Sequence, residues 1–148
     1  MSTHKSDSAA QQEAEKHLLR ALEESIGAKF IPGAKLPVSF GVKPDGIDPD
    51  KKIVAEAYAR VGKLKGAQLH KAKADLLKLV YLRHMLGSEW RAIICFASKE
   101  AAAFLLGKSW ASEAAREFGV EVMVHDLPND QREIVLAAQQ RQRMVNSQ

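Results

Sequence analysis

Between Arg91 and Ala97 the chain reads RAIICFA, a short unbroken apolar run with Glu89 and Arg91 before it and Lys99 and Glu100 after it. Apolar residues at successive rather than alternate positions describe a strand with both faces buried. Such a strand needs a layer of cover on each side. That requirement alone points to an α/β chain, with helices on both faces of a sheet.

The flanking segments supply the layers. A first helix is expected from about Ser8 to Ile26, with Ser6, Asp7 and Ser8 as candidate caps, Ala14, Leu18, Leu22 and Ile26 on one face, and Gly27 as its stop. Lys29 to Pro37 reads as a loop, Val38 to Ile47 as a strand, and Lys52 to Arg60 as its hairpin partner across Asp48-Pro49-Asp50. A basic loop from Val61 to Gly66 leads into a helix from Ala67 or Gln68 to Leu86, ended by Gly87. Beyond the Arg91 strand, Ser98 can cap a helix from Lys99, Gly107 to Ser109 break it, and a second piece runs from Trp110 to Phe118. Val120, Val122 and Val124 alternate with Glu121 and Met123 as a strand. A last helix starts at Asn129 or Asp130 and passes Ala138, and the tail from Gln139 is expected to fray. The sum is a mixed sheet of about four strands flanked by helices, an α/β sandwich.

With 148 residues, 46% of them hydrophobic and 27% charged, the chain has the size and balance of one globular domain spanning 1–148, with 1–7 and 142–148 expected to be flexible. No run approaches the roughly 18 apolar residues of a membrane span, and the polar start MSTHKSDSAAQQEAEK has no secretory apolar core, so a cytoplasmic location is expected. Cys95 is the sole cysteine and lies inside the apolar run, where a buried inert thiol is the default. A net charge of +4 suits a polyanionic partner without requiring one. The basic residues are clustered, and Lys63, Lys65, Lys71 and Lys73 are expected to flank one nucleic-acid-binding groove.

Residues that carry chemistry concentrate between Pro44 and Leu79. A tight turn at Pro49 and Asp50 would set Asp45 opposite Val54, leaving Glu56 one diagonal step away on the same face. Two carboxylates would converge. Asp45 and Asp48 also suit plain turn roles, whereas Glu56, between Ala55 and Ala57, would be costly to bury without a partner. In the following helix, about 100° per residue places Leu69, Ala72, Leu76, Leu79 and Val80 on one arc, with Gln68, Lys71, Asp75 and Lys78 as a polar stripe along its edge. Asp75 and Lys78 read as an ordinary solvated pair.

Pro44-Asp45-Gly46 on a first hairpin strand, Glu56 on the second, and the helix and strand that follow resemble the PD-(D/E)xK nuclease superfamily, whose core is a helix, three strands, a helix and a further strand. The resemblance extends from the first helix to about Leu127. It implies a restriction-endonuclease-like three-layer core, Asp45 and Glu56 as ligands of Mg²⁺ or Mn²⁺, and phosphodiester hydrolysis of DNA or RNA. The motif lysine would fall at position 58, which is Tyr58, so the resemblance implies that a residue of the next helix, Gln68, Lys71 or Lys78, completes the chemistry. Lys71 is the expected cation, and Tyr58 could hydrogen-bond a water or phosphate. Small bacterial proteins grouped with this superfamily are similar over Glu56-Ala57-Tyr58-Ala59 and the stretch to Lys78-Leu79. The altered motif equally allows a catalytically degenerate fold that binds nucleic acid or a protein partner without cutting. The short chain would need a homodimer or partner for sequence-specific cutting.

Overall fold

The computed structural model describes the backbone of residues 2–37 and 41–146, with side chains from 7–37 and 41–145. Among the described residues nine elements follow one another: α1 (Ser2–Ile26), β1 (Gly46–Asp48), β2 (Ile53–Tyr58), α2 (Ala67–Leu86), β3 (Arg91–Phe96), α3 (Lys99–Leu106), α4 (Trp110–Glu117), β4 (Val120–Val124) and α5 (Asn129–Asn146). The strands form one mixed sheet in the order β1-β2-β3-β4. β1 pairs antiparallel with β2, and β2, β3 and β4 run parallel.

The alternation of strand side chains divides the core into two layers of packing. Val54, Tyr58, Ala92, Ile94 and Phe96 face α2, α3 and α4, meeting Leu76, Leu79, Ala101, Leu105 and Ala115. Ile53, Ala55, Ala57, Ile93 and Cys95 face the other way, onto Ala14, Leu18 and Leu22 of α1 and Val135 of α5. The RAIICFA run is therefore covered on both sides, and every residue from Ala92 to Ala97 is buried. The chain is an α/β protein with a three-layer core. Among the described residues no helix is long and apolar enough to cross a membrane.

Four local expectations are corrected. α1 begins at Ser2, so Asp7 caps nothing; its carboxylate is buried and takes two hydrogen bonds from Arg141 of α5, at 2.9 and 2.5 Å. The first hairpin strand is three residues long rather than the span from Val38 to Ile47: residues 41–45 are not strand, and Val38 to Phe40 lie outside the described residues. The hairpin turn takes residues 49–52, with Lys52 at a φ of 58°, and this moves the register by two residues: Ile47 opposes Val54 and Gly46 opposes Ala55. Finally, the segment from Gln139 is helical to Asn146, because Gln139 is buried and clamps Val61, accepting from its N–H and donating to its carbonyl at 2.9 Å each.

Candidate functional site at the open end of the hairpin

Because β1 begins only at Gly46, the edge of β2 has no strand partner beyond Ala55 on that side among the described residues. A shift of two residues keeps each side chain on its face. Asp45, the residue before β1, is thus brought level with Glu56, closer than the diagonal expected from the sequence. Its Oδ2 accepts from the Ala57 N–H at 2.9 Å, satisfying a strand donor that β1 is too short to reach. The turn role belongs to Asp48 instead, which takes the Lys29 and Lys51 N–H groups at 2.9 and 3.0 Å and is held below the usual carboxylate range by those bonds.

Past that short strand, α1 and α2 form the walls of a cleft of about 580 Å³. Glu56 is at its floor, only 3% exposed. Burial, followed by a hydrogen bond and charge repulsion from Asp45, pushes the Glu56 carboxyl up to about 9. Lys78 Nζ bridges Glu56 Oε1 and Asp75 Oδ1 at 3.2 Å each. The approach to Glu56 is close but poorly aligned, so Oε1 has no hydrogen-bond donor in good geometry. Burial works against the Lys78 charge, but Glu56 and Asp75 outweigh it and raise the ammonium above its ordinary value.

The polar stripe of α2 is therefore a cleft wall: Gln68, Lys71, Asp75 and Lys78 all line it. The i, i+3 pair read for Asp75 and Lys78 is present, but it is not an ordinary solvated one, since the Asp75 side chain is mostly buried and Lys78 also reaches Glu56. Tyr58 also lines the cleft, but its hydroxyl donates to the Gln68 carbonyl at 3.0 Å and its ring packs 5.8 Å from Phe96. It closes the seam between β2 and the first turn of α2. Of the four lysines expected along one groove, only Lys71 lines the cleft. Lys63 and Lys65 are in the loop before α2, and Lys73 is turned to the Trp110 ring of α4, 5.2 Å from its centroid.

Two contributors escaped the sequence reading. Glu15 of α1 lines the cleft and is raised by burial and by the charge of Asp45. Its legible signal was position: Gln11 and Glu15 border the Ala14-Leu18-Leu22 stripe at i, i+4 spacing. Arg60, two residues past β2, lines the same space.

The donor set suits a hard cation. Asp45 and Glu56 are paired carboxylates, and Mg²⁺ is commonly held by one or two of these with water and phosphate completing its shell. Among the described residues no three His, Cys, Asp or Glu side chains are grouped to cage a metal. The fit is to an open two-carboxylate site, not to a closed structural one. No family model matches the chain, and no curated protein matches it.

Proposed function

We propose that the chain is a metal-dependent nuclease of the PD-(D/E)xK type, in which the ammonium missing from position 58 comes from Lys78 of α2. One observation carries the reading: a buried carboxylate on an interior strand, level with a second carboxylate, has a lysine 3.2 Å away across an open cleft. A structural ion pair needs none of that access. Burial of an acid is costly, and retaining it beside an open cleft is how perturbed groups at functional sites are arranged.

The division of labour follows from position. Asp45 and Glu56 would hold the cation, Glu56 giving up to solvent the proton that burial keeps on it, and Asp45 is itself fixed by the Ala57 amide. A bound Mg²⁺ or Mn²⁺ supplies Lewis-acid polarisation of the phosphate and lowers the pKa of a water. Lys78 holds its charge beside Glu56 and offers it to the phosphoryl oxygens as negative charge grows there. Asp75 restrains the Lys78 side chain from the turn before, at i, i+3. Lys71 and Gln68, about two and three turns from Lys78 along the same wall, would face the nucleic-acid backbone. Lys71 thus moves from the expected transition-state cation to a phosphate contact.

The test is cleavage of labelled single- and double-stranded oligonucleotides in Mg²⁺ or Mn²⁺. Lys78→Met is expected to lose about 10²-fold or more in kcat, the order found when a preorganised charge donor is removed. Lys71→Ala is expected to raise KM with a smaller effect on kcat. Equal turnover by wild type and Lys78→Met, or no metal-dependent cleavage by wild type, rejects the reading. Binding without cleavage would instead favour the degenerate-fold alternative, for which the uncharged Tyr58 at the motif position is the supporting feature.

A further inference from the structure

The cleft carries both signs of charge. Glu15, Asp45, Glu56 and Asp75 line it with Lys71 and Lys78. Arg60 reaches into the cleft beside Ala67, Gln68 and Gln142, where α2 begins and α5 passes overhead. Arg60 is partly buried, and among the described residues it pairs with no carboxylate. Its Nη2 lies 2.9 Å from the Gln68 side-chain oxygen once that amide is oriented to donate to the Lys65 carbonyl. One arm of the guanidinium is thereby anchored, and the planar fork keeps further donors for an oxygen anion. A second guanidinium, Arg143 of α5, is close enough to disfavour the Arg60 charge, adding to the effect of burial. A partly buried guanidinium with an exposed like charge near it and no counter-carboxylate among the described residues suits an anion from outside.

We infer that Arg60, oriented by Gln68 and backed by Arg143, forms a phosphate subsite for the strand that passes the carboxylate pair, binding a phosphate neighbouring the one presented to Glu56 and Lys78. The inference rests on the nuclease reading for its substrate, a nucleic-acid strand. Chain direction supports the arrangement: Glu56, Tyr58 and Arg60 are successive alternate residues leading from the carboxylates to the guanidinium. A phosphate there would take a bidentate grip from Arg60, and Lys71 on the facing wall would see the backbone between the two sites.

The experiment measures binding without turnover. Trinucleotides with and without a 5′-phosphate are titrated into the full chain in a chelating buffer, with wild type, Arg60→Gln and Arg60→Lys compared by calorimetry. Arg60→Gln is expected to lose about tenfold or more in affinity, the range for one charge-assisted hydrogen-bonding group. Arg60→Lys should fall between, keeping charge but losing the fork. A wild-type preference for the 5′-phosphorylated strand identifies the ligand as a terminal phosphate. Equal affinity for both strands, with the same loss in Arg60→Gln, identifies it as an internal phosphodiester. Unchanged affinity in both variants, with melting temperatures at the wild-type value, overturns the subsite. If wild type binds phosphate through Arg60 yet cuts nothing in Mg²⁺, the subsite stands and the nuclease reading falls. If it cuts and Arg60→Gln leaves KM unchanged, the subsite falls alone.

Discussion

A carboxyl group set between Val54 and Tyr58 on the α2 face of an interior strand loses most of its water, and beside Asp45 it gains a competitor for the same positive charge. The proton that Glu56 would release near 4.5 in the unfolded chain is held to about 9 in the folded one. Between those values the folded state binds the extra proton, so its stabilising contribution is complete at the acidic end and is lost as pH rises toward about 9. In chelating buffer, the melting temperature of the wild type is therefore expected to decline across this window more steeply than that of Glu56→Gln. Parallel profiles would contradict the placement of Glu56. Gly46 presents a steric case: a Cβ there would sit 2.9 Å from the root of the Phe30 ring, which must give way. Gly46→Ala is expected to cost about 1–3 kcal/mol by urea denaturation, the usual penalty of overpacking.

At the scale of elements, the brevity of β1 makes the site: a longer first strand would cover the β2 edge that the cleft exposes. The sequence made much of this legible. The RAIICFA run demanded two-sided cover and received it, α2 runs from Ala67 to Leu86 as its period and Gly87 indicated, and Ser98 caps α3 by accepting from the Ala101 N–H. The length of β1 was not legible, because Gly41, Pro44 and the Asp-Pro-Asp turn are each compatible with a strand, a bulge or a loop. Nor was the partner of Lys78, since angular position on a helix gives a face but not the strand residue that face meets. The tail from Gln139 was misread for a related reason. Its polar composition suggests a frayed end, but one buried amide answers both backbone groups of Val61, a contact 78 residues distant in sequence. Gln139→Leu, which fills the volume but satisfies neither group, is expected to destabilise by about 2 kcal/mol or more by urea denaturation. A change within a few tenths of a kcal/mol would place that clamp outside the stabilising framework.

Over the whole molecule, the first and last helices, α1 and α5, meet at the rim of the cleft. Asp7 on α1 and Gln142 on α5 both line it, and Arg141 ties the helices together through the buried Asp7 carboxylate. Asp7→Asn removes the buried charge that Arg141 pairs with, and is expected to lower the melting temperature while loosening the α1 wall that carries Glu15. The proposed function asks this cleft, lined by carboxylates and by Arg60, Lys71 and Lys78, to take a cation and a polyanion together. The most direct test is therefore Mn²⁺ binding followed by electron paramagnetic resonance of the free ion. One site is expected in wild type, lost in Glu56→Gln and retained in Lys78→Met, which removes a charge donor and no ligand. No binding by wild type at millimolar Mn²⁺, with or without an oligonucleotide present, or undiminished binding by Glu56→Gln, would contradict the account.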